Sequence, residues 1–508
     1  MYDAILPALG VIFSWPGIAF LIGGTLIGMV FGILPGLGGG QVLALLLPVT
    51  FALEPEYAII MLIGAAGAVP TAGSVAGILL NTPGSAQNVA TTFDGYPLAR
   101  QGKAGYAIGA AATSSLLGAL VGASVLIMIL PLGRQIVLSF SYPEYFMITV
   151  MGLCLIALLG EGTMWKGVMS AGLGLMLAFV GADPIEGLVR YDLGTDYLYD
   201  GIKLVPVMIG LFAISEALSL LLDKKSVAGE RIEFGMSGVW RGSLAVFRNF
   251  GTFLRGSILG TLIGIIPGVG GAVANLIAYG QAKATAKDKS SFGKGDIRGV
   301  IAPESANNAK DGGAFVPTLI FGIPGSLDMA ILIGALMVFG ITPGPRLMLD
   351  SPDIIMVLIG TLVFGNVLAG IIMLGWAPYL ARVTALRSTT VAPVILVLGL
   401  LGSYATYGNF GDMIVALVFG LVGYFFQAYG FSRVALIIAL VLGGLIEKNF
   451  YQSMLVFGIE GSLTRPITLG LLLATIAMLV YPALRASPGA LLSRAARRSR
   501  SKESKDEG

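Results

Sequence analysis

Residues 24–39 read GTLIGMVFGILPGLGG, and residues 256–271 read GSILGTLIGIIPGVGG. At a constant separation of 232, Gly24, Gly28, Gly32, Pro35, Gly36, Gly38 and Gly39 fall on Gly256, Gly260, Gly264, Pro267, Gly268, Gly270 and Gly271. A second pair follows, GILLNTPGS at 77–85 and LIFGIPGS at 319–326, sharing Pro-Gly-Ser at a separation of 241. Each half therefore carries a glycine-striped helix ending in Pro-Gly-x-Gly-Gly, and then an apolar helix ending in Pro-Gly-Ser. Proline ends a helix, and glycine turns through conformations closed to other residues. In hydrocarbon such breaks are tolerated only where protein or a water-filled cavity satisfies the freed backbone.

The surroundings of these segments are membrane-like. Of 508 residues 56% are apolar and 12% charged, and glycine, at 73, is about twice its usual share. Apolar stretches at 104–131, 143–160, 163–181, 201–222, 352–380, 391–407, 410–428, 433–446 and 465–485 are candidate helical spans. Regions 15–52 and 250–283 read as re-entrant hairpins, and 57–98 and 313–341 as spans crossed in pieces. The expected fold is an all-α polytopic membrane protein with about 11 crossings and two re-entrant hairpins, an inverted internal repeat with discontinuous helices. The expected division is a first half at 1–222, a cytoplasmic loop at 223–249, a second half at 250–485, and a disordered basic cytoplasmic tail at 486–508. With that tail inside and the N-terminus periplasmic, 24 basic residues lie inside and 6 outside, Arg255 falling within the second hairpin. Lys310 is counted inside. The first basic residue is Arg100, so no cleavable signal peptide is expected.

Several chemistries are excluded by composition. There is no histidine, and Cys154 is the only cysteine, so no imidazole base, disulfide or multi-cysteine metal site is available. No GxxxxGK[ST] phosphate loop occurs, which argues against ATP as the driver. An enzyme, a cofactor, a bound metal and a nucleic-acid partner are all unexpected.

The candidate binding groups are those of the breaks. Gly36, Gly38, Gly39 and Gly40 in the first tip, and Gly268, Gly270 and Gly271 in the second, precede new half-helices whose free N–H groups and positive dipole ends attract an anion. Asn81, Thr82, Pro83, Gly84 and Ser85, with Pro324, Gly325 and Ser326, form the second pair of breaks. No arginine or lysine is adjacent in sequence, so a carboxylate is expected to be held by backbone donors and hydroxyls. The polar segment 302–313, read as lying between the second hairpin and a broken span, adds Asn307 and Asn308. Glu304 in that segment, Glu216 within an apolar span and Asp328 after Pro-Gly-Ser are the candidates for coupling to a cation. A channel with glycine-rich filter loops is the alternative reading.

The two Pro-Gly-x-Gly-Gly segments, ILLNTPGS at 78–85, PESANNAKDGG at 303–313, PTLIFGIPGS at 317–326 and ITPGP at 341–345 together resemble the large membrane subunit of the tripartite tricarboxylate transporters. The resemblance runs over nearly the whole chain except the tail. It departs at AAGAVPTAGS, 65–74, where that family suggests a tyrosine- and glycine-rich stretch. It implies a bacterial inner-membrane permease that imports a tricarboxylate or related organic acid through the lipid bilayer. Its implied partners are a small integral membrane subunit and a periplasmic solute-binding protein, and its driving force a sodium or proton gradient.

Overall fold

The computed structural model describes residues 2–34, 36–159, 163–183, 185, 187–222, 236–380 and 388–485. Pro35, residues 223–235 of the expected 223–249 loop, Arg382, Arg387 and the 486–508 tail lie outside them, and the rest of that expected loop is helical rather than a loop. The helices are α1 (Ile5–Ile12), α2 (Trp15–Ile33), α3 (Gly39–Thr50), α4 (Pro55–Leu80), α5 (Val89–Arg100), α6 (Ala104–Leu138), α7 (Tyr142–Leu159), α8 (Met164–Ala178) and α9 (Leu204–Leu222). They continue as α10 (Met236–Arg248), α11 (Phe250–Gly264), α12 (Gly270–Thr285), α13 (Arg298–Phe321), α14 (Leu327–Val338), α15 (Pro345–Asp350) and α16 (Pro352–Leu380). The last four are α17 (Ser388–Tyr407), α18 (Phe410–Tyr429), α19 (Arg433–Leu463) and α20 (Pro466–Arg485). Seven of them are long and apolar enough to cross a membrane, and the protein is an all-α polytopic membrane protein.

Two sets of elements follow the same order. Hairpin α2–α3, long helix α4, a break and α5 in the first half match hairpin α11–α12, long helix α13, a break and α14 in the second. The glycine stripes explain how each set packs. A methyl group at Gly24, Gly28 or Gly32 would lie 2.2, 2.2 or 2.5 Å from the carbonyl oxygens of Met61, Ala65 and Val69 on α4. At Gly256, Gly260 and Gly264 it would lie 2.6, 2.3 and 2.2 Å from those of Ala302, Ala306 and Lys310 on α13. The glycines are 232 apart and their contacts 241 apart, the same two separations that relate the sequence motifs. Lipid is as apolar as leucine, so helices in a membrane gain little from burying hydrocarbon, and close backbone approach supplies the attraction instead.

The other faces of the two long helices are covered as tightly. Gly118 and Gly122 of α6 press on the backbone of α13 at Ser305 and Ala309, and Gly365 of α16 meets Gly64 of α4. Thus α4 and α13 are central, each between two glycine-bearing neighbours, and they touch where the Asn308 amide donates to the Gly67 carbonyl at 3.5 Å. Position 308 is itself 241 beyond position 67.

Two expectations are corrected here. Residues 302–313 are not a segment between a hairpin and a span: they are the middle of α13, buried throughout, and the second broken span begins at Arg298 rather than 313. Its polar side chains are tolerated because they bond to neighbouring helices. Lys310 accordingly lies within α13 rather than in a loop. Likewise 447–463 is helical and continues α19, with a kink at Gly458 (φ 64°). The acidic loop after α8 is tied to the first turn of α18 and the middle of α19. Tyr197 donates to Asp412 at 2.6 Å, and Arg190 is bidentate on Glu447 at 2.7 and 3.1 Å.

Candidate functional site

Both pairs of breaks repeat in backbone conformation as well as in sequence. Helix α4 ends on Asn81 in the left-handed region (φ 55°, ψ 22°), and α13 ends on Gly322 (φ 72°, ψ 18°), 241 residues later. The hairpin tips turn at Gly36 (φ 89°) and Gly268 (φ 79°), 232 apart. Each tip is then bonded to the break of its own half: the Gly36 N–H donates to the Gly84 carbonyl at 3.2 Å, and the Gly268 N–H to the Gly325 carbonyl at 3.3 Å. These bonds satisfy backbone groups that the breaks leave free.

The third glycine of each tip faces the opposite half. A methyl at Gly39 would stand 2.7 Å from Asp328 Oδ1, and one at Gly271 would stand 2.8 Å from Gln87 Cγ and 2.9 Å from Lys310 Cε. Asp328 and Gln87 are themselves 241 apart. Two tips and two breaks therefore converge on one place, and glycine is required there because any side chain would strike the groups opposite. Gly38 adjoins Gln41 Oε1, and Gly40 packs on Leu327.

Some of the expected ligand groups are already engaged. The Ser326 hydroxyl caps α14 by accepting the Met329 N–H at 3.3 Å, and Ser85 donates to Asn88 Oδ1 at 2.9 Å. Thr82 reaches only the Leu80 carbonyl, at 3.4 Å, and the Asn81 side chain is exposed. Pro83 is partly open, whereas Pro324 and its neighbours through Ser326 are buried. The two breaks thus differ in access although they match in shape.

Glu304 is enclosed by neutral donors. Its Oε1 accepts from Thr91 at 2.5 Å and Asn88 at 3.1 Å, and its Oε2 from Ser115 at 2.9 Å. Asn307 is wholly buried with no well-formed hydrogen bond of its own. Asn308 instead ties three helices together, donating to Thr71 on α4 at 2.9 Å and Asn366 on α16 at 2.7 Å. Glu216 follows a π-helical turn, Ile209–Ile214, within α9. Its Oε1 is 3.0 Å from where a Gly36 methyl would lie. Such turns occur often at functional sites.

One expectation fails at this site. A lysine does lie beside the breaks: Lys310, 2% exposed, has its Nζ 2.5 Å from Asp311 Oδ1 and 3.9 Å from Asp328 Oδ2. Sequence adjacency hid it, because a residue about three turns inside a helix is brought to the break by folding rather than by chain order. Gln87, Asn88, Thr91 and Ser115 were missed in the same way. No group of three or more potential metal-ligating side chains exists among the described residues.

Residues 18–438 match the profile of the Tripartite tricarboxylate transporter TctA family. An uncharacterised 52.8 kDa protein of Agrobacterium vitis, from the TAR-I ttuC′ 3′ region, is 33% identical over 469 residues, 91% of this chain and 93% of its own length. A second uncharacterised Agrobacterium vitis protein, from the TAR-II ttuC′ 3′ region, is 32% identical over 231 residues, 44% of this chain and 96% of its own. No solved structure matches.

Proposed function

The chain belongs to the tripartite tricarboxylate transporter TctA family, and from that premise we propose that it is the permease that carries an organic carboxylate inward by alternating access, driven by a sodium or proton gradient. The family is that of a tripartite transporter, which implies a small membrane subunit and a periplasmic binding protein as partners. In this reading the chain sits in a bacterial inner membrane with its N-terminus periplasmic and its C-terminus cytoplasmic. The two halves are inverted relative to one another, and the hairpins α2–α3 and α11–α12 are re-entrant.

The observation that carries the proposal is the convergence of both tips and both breaks, with the bonds from Gly36 to Gly84 and from Gly268 to Gly325 holding each pair. A carrier needs a small polar site that can be reached from either side in turn. Paired helix breaks at the centre of two matched halves supply one, and the exposed first break beside the buried second suits a carrier resting in one of its two states. Helix α12 begins at the second tip, so its first N–H groups and positive end favour an anion there. Asp328, Glu304 and Glu216 are the groups that would respond to the coupling cation, Asp328 standing in the site itself.

The test is uptake of labelled carboxylates by vesicles holding the chain with its two partners. Gly39→Val and Gly271→Val should each cut uptake at least tenfold, and Ser326→Ala more mildly, with insertion unchanged. Normal uptake by all three variants would remove the site from the reading. Uptake that persists after both sodium and proton gradients are collapsed would remove the coupling.

A further inference from the structure

The repeat supplies an internal control for the charges at the site. At the separation of 241, Lys310 corresponds to Val69, Asp311 to Pro70 and Asp328 to Gln87. The correspondence holds in space, since Gly32 abuts the Val69 carbonyl as Gly264 abuts that of Lys310. The first half builds the same backbone with no charge at any of the three positions. Burying an ammonium and two carboxylates is costly unless each is well paired. The fold does not require that cost, so the charges answer to something else.

The pairing is also incomplete. Neighbouring residues on a helix point about 100° apart and do not face one another. Lys310 nonetheless reaches Asp311 at 2.5 Å, but stands 3.9 Å from Asp328, beyond hydrogen-bond distance, so its ammonium is paired with one of the two carboxylates and only near the other. Its Cε lies against Gly271 at one tip, and Asp328 lies against Gly39 at the other.

We propose that Lys310 receives a carboxylate of the transported anion, and that it does so only after a monovalent cation has neutralised Asp328. The proposal rests on the carboxylate-permease reading and adds to it a binding residue and an order of binding. Lys310, Asp311 and Asp328 together carry one positive and two negative charges. An arriving carboxylate meets a net repulsion that a site of low dielectric strengthens. Asp311 is fixed beside Lys310 by the chain, whereas Asp328 is on a separate helix beyond a break, so Asp328 is the partner that can be given up. The groups acting on Asp328 are Lys310, Asp311 and the Gln87 amide. A cation on Asp328 brings the cluster to neutrality, so that Lys310, still beside Asp311, can take the substrate carboxylate, and an empty carrier cannot load the anion alone. Coupling then follows from charge balance rather than from a separate ion site.

The experiment uses the chain with its partners in vesicles, with labelled citrate, succinate and benzoate as probes. Sodium is titrated at fixed pH, and pH is titrated in choline medium without sodium. Wild type should need one of the two cations, and the arm that responds identifies which. Lys310→Met should reduce probe uptake at least a hundredfold and Lys310→Arg less. Asp328→Asn should bind the probe without the cation and fail to accumulate it against a gradient. Wild-type uptake by Lys310→Met, or wild-type cation dependence in Asp328→Asn, overturns the inference while leaving the permease reading standing. Should Lys310→Met fail to insert, the Asp328→Asn cation dependence decides alone. If wild type carries none of the three probes under any gradient, the permease reading falls and this inference with it.

Discussion

Asn81 is a non-glycine residue held in the left-handed region, and its counterpart Gly322 shows what the position demands. The left-handed conformation costs an ordinary side chain about 1–2 kcal/mol, least for asparagine and nothing for glycine. Asn81→Gly should therefore leave thermal stability in detergent unchanged, while Asn81→Val should lower it by a margin corresponding to roughly 1–2 kcal/mol. Equal effects of the two substitutions would mean that the asparagine side chain, rather than the backbone, matters there. Asp94 poses a different residue-level demand. One of its oxygens accepts the N–H groups of Gly293, Gly295 and Asp296, each at 2.8 Å, and the other accepts from Tyr279 at 3.0 Å. The carboxylate thus fastens the 286–297 loop to the middle of α5. Removing the carboxylate leaves three part-buried N–H groups without their acceptor, so Asp94→Ala should free the loop to hydrogen exchange. Within that loop burial pushes the Asp296 carboxyl up, but bonds from the Arg298 guanidinium, the Ser291 hydroxyl and the Arg298 N–H outweigh it and hold it below its ordinary value. A depressed carboxyl stabilises above its unfolded value of about 4 and loses that contribution as pH falls through the folded one. Loop protection should be flat from pH 8 to 5 and decline only below about 4. A decline centred near neutrality would contradict the Asp296 assignment.

At the scale of elements, the stripes decide which helices can meet. Gly24 and Gly23 are neighbours on α2, yet a methyl at Gly24 would be 2.2 Å from the Met61 carbonyl while nothing lies within 4 Å of one at Gly23. Gly24→Leu should prevent tight docking of α2 on α4 and reduce the monodisperse fraction in size-exclusion chromatography, whereas Gly23→Leu should behave as wild type. A shared phenotype would show that helix propensity or insertion, and not the close contact, is at stake. The stripes were legible in the sequence because they are short-range, repeated and separated by one turn. The breaks were legible because proline and glycine act locally. The character of α13 was not, because a run containing Glu304, Asn307, Asn308, Lys310 and Asp311 resembles a solvated segment when read for hydropathy. Its periodicity pointed the other way: positions 304 and 308 fall on one helical face, where they meet partners on other helices. Those partners are far along the chain, 213 and 189 residues away for Thr91 and Ser115, and nothing local announces them. Lys310 escaped for the same reason.

For the whole molecule, the two halves agree in backbone and differ in exposure, and the difference is what motion between states would exchange. Asn81 and Ala86 at the first break are exposed, whereas Gly322 through Ser326 at the second are buried. If the hairpins and breaks move as bodies against the remaining helices, the buried break must become accessible in the other state, because the same substrate has to leave past it. Cys154 is the only cysteine, so a Cys154→Ser background makes single probes readable. In that background Ala86→Cys should react with a membrane-impermeant thiol reagent in the resting protein, and Ser326→Cys should not. Under an imposed cation gradient with a transported carboxylate present, Ser326→Cys should gain reactivity at least tenfold and Ala86→Cys should lose it. Inside-out and right-side-out vesicles should give the two sites opposite sidedness, since a single aqueous path open at both ends would label them from either face. A Ser326→Cys that stays unreactive throughout turnover would mean that the second break never opens, and that the carried anion passes elsewhere.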